Sequence, residues 1–574
     1  MRRGPRRVSN RGRDLHRGGS RRGRAKNSWF SHPRASVDPF SGPRVIEQAA
    51  PKSLPPESAS ILWLRNDLRV CDHEALALAN TSGTMVPVFI FDTSKFGIKN
   101  ASPWGFQRNG PFRTVFMIES VKDMQQNLRL RGNDMLVRQG DPVTEILDIA
   151  KALAESGFDS VNVVAHKETT WEETKDEDAL QAGLKRLAQE TGKDMEAYWL
   201  WGSTMHHVDD VPFNPGGPGL PETFTAYRKL VEGKKTPVRE EVPTPERLNP
   251  FPMELRLRSD RFPSLRNDLQ VEGLCDPLDH AFPHPLGAMD FVGGESNGLD
   301  RMNEYIWDIN GLECYKETRN DSGKRNFSSK FSPWLALGCI SPRTLYWQVR
   351  EYEQKKVAND STYWMLFELM TRDYFRWVSA SVGTKLFAVN GYSGRSVGEP
   401  SLFDVNPAAV RPIHRTRLQK WIEGKTGAPY IDASMRELAL TGFMSNRGRQ
   451  NVASFLIHDL EFPDWRAGAE YFESVLIDHD VASNWGNWAY LAGVGSDPRG
   501  GRKFNVVKQS KQYDPEGWFI TRWCPELIDI PPPMIHEPHL LSSEALKEVG
   551  ITEGETYPTP IVRLPTAPSS QKEQ

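Results

Sequence analysis

The sequence predicts two domains of different class: an N-terminal doubly wound α/β domain built on a parallel sheet, joined by a long linker to an all-α domain. Three observations carry this expectation. Five short apolar runs follow one another early in the chain with helical patterns between them, the alternation stops at a Pro- and Gly-rich stretch, and beyond it only helical periodicity remains.

Residues 1–58 form a basic, disordered extension and linker. Twelve of the 72 Lys/Arg but only one acid, Asp14, fall within residues 1–34, so this tail is about +11 and the body about −13, although the formal net charge is −2. An Arg-rich, acid-poor start without an apolar core is compatible with organelle targeting and equally with an arm that touches RNA or duplex DNA. Mitochondrion, nucleus and cytoplasm all stay open. No run of roughly 18 apolar residues exists, which excludes a membrane span. Cys71, Cys275, Cys314, Cys339 and Cys524 lack C-x-x-C spacing, which suits a reducing compartment and gives no metal cluster.

Residues 59–205 carry the α/β rhythm. Apolar runs begin at Ser60, Met85, Asp134, Ser160 and Met195, and helical patterns cover Pro111 to Leu130, a segment capped by Asp141 with Pro142 at its first position, and Glu172 to Thr191. No G-x-G-x-x-G follows the first strand, so the usual dinucleotide grip is missing. Residues 206–293, including FNPGGPGLP from Phe213 to Pro221, read as a linker with little regular structure. Residues 294–530 are the helical domain, and residues 531–574 are a Pro-rich tail, a short docking segment followed by disorder.

Three constellations stand out. In Tyr315-KETRNDSGKRNFSSKFSP, the hydroxyls of Ser328, Ser329 and Ser332 surround Lys330 just before Pro333, so that Ser332 can cap a helix and the group can cradle a pyrophosphate. In Tyr363-WMLFELMTRDYFRW, Glu368 and Arg372 lie four residues apart on one helical face, spaced to pair beside an aromatic stripe. Between Tyr430 and Tyr490, Asn446, Arg447, Arg449, Asp478, Asp480 and Asn484 crowd into an apolar helical pattern. Buried polar groups need partners, because each unpaired one costs about 1–3 kcal/mol. A flat ligand with polar edges would supply them.

In this order and spacing, together with WLRNDLRV at Trp63, WGSTMHHVDDVPF at Trp201, TGFMSNRGRQNVASFL at Thr441 and DHDVASNWGNWAYLAGVGSDPR at Asp478, these stretches resemble the photolyase/cryptochrome family, more narrowly cryptochrome-DASH, from about Ser60 to Leu527. The resemblance implies FAD in the helical domain, an antenna 5,10-methenyltetrahydrofolate on the α/β domain, and a monomer that repairs cyclobutane pyrimidine dimers by light-driven electron transfer, chiefly in single-stranded DNA. It implies that Tyr315, Ser328, Ser329, Phe331, Ser332 and Arg372 hold the phosphate and ribose side of FAD. Asp478 and Asp480 would face its ring, Arg449 would pair with Asp478, and Asn484 would sit by flavin N5. Glu368, Asn446, Arg447, Gln450 and Tyr490 would meet the lesion, and Glu168, Glu172 or Glu173 the folate. Trp488 and Trp465 match the inner members of a tryptophan electron relay. Two departures bear on function. Thr371 stands where a substrate-stacking Trp is usual, and Arg411 stands at the outer relay position, so electrons need a detour through Tyr471, Trp377 or Trp421, or an external reductant. These departures keep open a second class, a blue-light photoreceptor or nucleic-acid-binding regulator that retains FAD without repair.

Overall fold

The computed structural model describes residues 50–564 apart from 98–100, 218, 253–273, 277, 279, 322–324, 394–405, 498, 533 and 553. The chain divides into two compact units, Met1–Ser41 and Gly42–Gln574, and the described residues all belong to the second. The basic tail expected to target or bind nucleic acid therefore lies outside the described residues.

Five strands, β1 (Ala59–Leu64), β2 (Thr84–Asp92), β3 (Leu136–Gly140), β4 (Ser160–His166) and β5 (Asp194–Leu200), pair in parallel in the order β3-β2-β1-β4-β5. Both faces of such a sheet are covered, which is why its strands read as nearly continuous apolar runs. On one face Ile61, Trp63, Val86 and Val88 pack with Ile146 and Leu153 from the helix Pro142–Glu155 and with Leu180 and Leu184 from the helix Trp171–Thr191. On the other face Leu62, Leu64, Phe89 and Phe91 join a core that includes Phe116 of the helix Pro111–Arg129 and continues into the helical domain through Trp334 and Trp377. Asp141 caps its helix as expected, accepting the Thr144 N–H at 2.8 Å.

The helix Asp360–Val382 fastens the two domains. Asn359 and Thr362 close a reciprocal capping box at its start. Farther along, the Asp373 carboxylate accepts the Met205 and His206 N–H groups at 3.0 Å each, and Ser379 donates to Thr169 at 2.8 Å.

Two expectations change here. The stretch 206–293 contains a helix, Phe224–Gly233, whose start is capped by Thr223 and whose Tyr227 and Val231 are buried; its short stripe is obscured by the surrounding Gly and Pro. The segment after Ile530 is packed at least to Leu564. Leu546, Ile551, Tyr557 and Leu564 enter the helical core, and the Tyr557 hydroxyl donates to buried Asp432 at 2.8 Å. Single apolar residues spaced among Pro and Thr show no periodicity, so this strap is invisible until its tertiary partner is present.

Candidate functional site

β1 lies between β2 and β4, so the chain order reverses at β1 and β4, the place where open α/β sheets bind ligands beyond their strand ends. There a cleft opens between the sheet and the helical domain. Glu168, just after β4, is buried; it accepts from Asn66 at 2.9 Å and meets Arg376 at 3.3 Å. Burial pushes its carboxyl up. Arg376 reaches on to Asp480 at 3.0 Å, so a single guanidinium links the α/β domain to the helical domain. Glu172 pairs with Arg108 at 2.6 Å, and Glu173 faces Lys95 at 3.6 Å. All three glutamates singled out in the sequence line this cleft, with Glu168 the most enclosed.

Nearby, Asp67, His73 and His166 bring potential metal-ligand atoms within 4.8 Å of one another. The Nδ1 of His73 already accepts the Leu76 N–H at 3.0 Å, so it is not free to bind a metal, and its Nε2 lies 3.4 Å from Asp67. The same carboxylate is hydrogen-bonded to His166 at 2.9 Å.

On the helical side, Ser445 caps the helix Asn446–Ser454 by accepting the Gly448 N–H at 3.1 Å. That helix carries Arg449, whose Nη2 donates to Asp478 Oδ2 at 2.8 Å, the expected pair. The other oxygen, Asp478 Oδ1, is buried without a partner. Asp480 caps the helix Val481–Ala492, accepting the Ser483 N–H at 2.7 Å. Burial opposes its ionisation, and Arg376 and Arg372 overcome that and hold it down to about 2. One turn into this helix Asn484 is pinned by donation to the Ala469 carbonyl at 2.9 Å.

The loop before Pro333 gathers cations around hydroxyls. Lys330 adopts φ +57°, is buried, and donates to the Arg325 carbonyl at 2.8 Å and to Ser328 at 3.4 Å. Burial, reinforced by Arg301 and Arg325, pushes its ammonium down to about 7. Ser329 and Phe331 are buried, and Phe331 and Tyr315 both pack edge-on against Tyr305. Ser332 does not cap the following helix: it is the first residue of Ser332–Ala336, and the cap position is Phe331, without a side-chain bond. The Pro at the second helical position draws Ser332 into the turn.

Glu368 and Arg372 do not pair. Arg372 turns toward the domain junction and donates to the Ser203 carbonyl at 2.6 Å and the Leu335 carbonyl at 3.0 Å. Glu368 instead takes Arg319 at 2.5 Å and Trp364 Nε1 at 3.2 Å. Spacing of four on a helix permits a pair, but backbone carbonyls at the junction compete for the guanidinium. Arg319 escaped sequence reasoning because its partner is 49 residues away, beyond any local pattern.

Arg447 donates to Gln450 at 3.0 Å and Asn320 at 3.1 Å and lies over the Tyr513 ring, while Asn446 is exposed at the helix start. Tyr490 is half-buried beneath Arg502, and Thr371 bonds back to the Phe367 carbonyl at 2.9 Å. Trp488 and Trp465 are both buried but have different neighbours. Trp488 packs edge-on against Phe472 at 5.2 Å and Trp421 at 6.3 Å, and Gly468 leaves room for its ring. Trp465 packs against Trp485 at 5.8 Å and donates to the Val389 carbonyl. Trp421 in turn meets Tyr471 at 5.7 Å, whereas Trp377 stacks on Trp201.

A parallel α/β domain with a ligand cleft at its strand ends is fastened to a helical domain with an unsatisfied buried carboxylate and a cation-rich hydroxyl loop, an arrangement that suits the flavoprotein fold expected from the sequence. Comparison with known proteins agrees. Residues 60–246 match the family described as DNA photolyase, and residues 365–574 match the FAD binding domain of DNA photolyase. The chain is 43% identical to the cryptochrome DASH of Gloeobacter violaceus, over 88% of this chain and 93% of that protein. Among solved structures, Synechocystis sp. PCC6803 cryptochrome superposes with a TM-score of 0.76 at 41% identity, covering 88% of this chain and 96% of that one. A bacterial class III photolyase from Agrobacterium tumefaciens gives a TM-score of 0.67 at 26% identity, covering 90% and 95%. The chain belongs to the photolyase/cryptochrome family, in its cryptochrome-DASH branch, and its helical domain is an FAD-binding domain.

Proposed function

We propose that this protein repairs cyclobutane pyrimidine dimers in single-stranded DNA under blue light. The observation that carries the reading is Glu368, a carboxyl raised by burial and clamped between Arg319 and Trp364. In its protonated form it donates to the carbonyl oxygens of a dimer, and Arg319 beside it supplies a cation for the adjoining backbone or base. Bound reduced FAD supplies the electron that opens the cyclobutane ring and receives it back.

The residues present suit that cofactor. Asp478 Oδ1 is an acceptor awaiting an N–H or hydroxyl, and Arg449 holds the carboxylate by its other oxygen. Asp480 holds the start of the helix that presents Asn484, a neutral amide assigned to the N5 edge. Ser328, Ser329, Ser332 and Lys330 would take the phosphates, where an anion relieves the crowded charge of Lys330, Arg301 and Arg325. Tyr315, Phe331 and Arg372 would close the ribose side. Asn446, Arg447, Gln450 and Tyr490 would line the entry for the lesion. With Thr371 in place of a stacking ring, about 1–3 kcal/mol of base stacking is missing, which suits a lesion that need not be pulled from a duplex. The interdomain cleft would take 5,10-methenyltetrahydrofolate as antenna, with Glu168 facing its ring. Trp488 would be the indole through which an electron enters to reduce bound FAD.

Single- and double-stranded oligonucleotides carrying one dimer, illuminated with pre-reduced protein, test the reading: absorbance recovery faster on single strands is expected, and none on either sinks it. Thr371 and Arg411 favour a second reading, a photoreceptor that keeps FAD without repair; the same absence of recovery, with normal flavin photochemistry, would establish it.

A further inference from the structure

Four side chains that line the interdomain cleft carry buried nitrogens without a hydrogen-bond partner: Arg65, Arg113, Arg376 and His479. The carboxylates around them are largely spoken for, since Glu172 and Glu473 hold Arg108 while Glu168 and Asp480 hold Arg376. The cleft is left with spare donors. Buried donors are rarely left unmade, so a ligand rich in acceptors belongs there. His479 is the clearest case. Its side chain is only 6% exposed, neither ring nitrogen is bonded, and its Nε2 stops 4.0 Å short of Glu473. It sits between Asp478 and Asp480 in the chain and lines the cleft, as do Arg113 and Asp480.

We propose that His479 and Arg113 form an anion-accepting subsite of this cleft, which seats the carboxylate-bearing end of its ligand. This rests on the folate reading of the cleft and assigns the glutamate end of that ligand to these two residues. Burial, Arg113 and Arg108 keep the ring neutral in the free protein, against Asp480, Asp478 and Glu473, which favour its charge. A carboxylate placed beside it reverses that balance. Binding then takes up a proton, and affinity rises as pH falls.

The test uses the full-length FAD-loaded protein and two probes: methenyltetrahydrofolate with one glutamate, and the corresponding pteroate lacking it. Equilibrium dialysis is run at about pH 6 and 8 on wild type, His479→Phe, His479→Gln and Arg113→Gln, with FAD content as the check on folding. The glutamate-bearing probe should lose about tenfold or more in affinity in His479→Phe and Arg113→Gln, the loss expected when a hydrogen bond to a charged group is removed. The pteroate should bind all four proteins alike. His479→Gln should retain part of the affinity and lose the pH dependence. Equal losses for both probes, or none, overturn the subsite. If neither probe binds wild type, the folate reading falls, and calorimetry with glutarate then decides the subsite alone: His479-dependent binding sustains it, and no binding removes it.

Discussion

Replacing Arg319 with Gln should shift the pH range over which repair occurs, and the size of the shift follows from one contact. Arg319 lies 2.5 Å from Glu368, with side chains 12% and 30% exposed. A charge-assisted bond of this kind contributes about 1.5–3 kcal/mol when buried. With the carboxylate partly open to water, about 1–1.5 kcal/mol is left, equivalent to about one pH unit. The sign is set by two opposed causes: burial raises the Glu368 carboxyl and Arg319 lowers it. Removing Arg319 therefore raises it further. If the protonated carboxyl is the form that donates to the dimer, repair fails as pH rises through this value, and in Arg319→Gln the failure comes about one unit later. The assay is the rate of dimer repair by pre-reduced protein across a pH range wide enough to bracket the transition. Glu368→Gln, an amide that donates at every pH, should lose this alkaline limb altogether. A limb that stays put or moves to lower pH in Arg319→Gln, or that persists in Glu368→Gln, would refute the role given to Glu368.

Three further outcomes are expected. Trp488→Phe should abolish photoreduction of the flavin, and Trp421→Phe should slow it more than Trp465→Phe does, because Trp421 is the indole in ring contact with Trp488; transient absorption settles the order, and a larger effect at Trp465 would return the electron's path to the position first read from sequence. Asp478→Asn should weaken FAD retention by tenfold or more, since it both changes the unpaired oxygen and leaves Arg449 without its counter-ion; unchanged flavin content after dialysis would contradict the assignment. Tyr557→Phe should cost about 1–2 kcal/mol in denaturant unfolding, because Asp432 loses one of the donors that satisfy it in the interior, and no change would mean that the C-terminal strap is held by its apolar residues alone.

Local patterns were legible wherever a residue and its partner lie close along the chain. The five strands, the Asp141 cap and the helical character of the second half all follow from short-range periodicity. The Arg449–Asp478 pair was also foreseen, but through family likeness rather than spacing, since 29 residues separate the two. The failures are equally specific. Glu368 and Arg372 satisfy the helical pairing rule and still do not pair, because the rule describes an isolated helix, and in the folded chain the carbonyls of Ser203 and Leu335 take the guanidinium instead. The docked strap ending near Leu564 was missed because its apolar residues are too sparse to show a period.

From the sequence alone one can establish the class of each domain, their order, and the set of polar residues too numerous for an ordinary helical core, since these depend on composition and on repeats of two or about four residues. Only the tertiary structure decides which of those residues meet. It gives Glu368 to Arg319, joins Glu168 to Asp480 through Arg376, sets Trp421 rather than Trp465 against Trp488, and places His479 in the lining of the interdomain cleft. Each of these depends on the competition among partners brought together from distant parts of the chain, and that competition exists only once the helical domain has closed on the sheet.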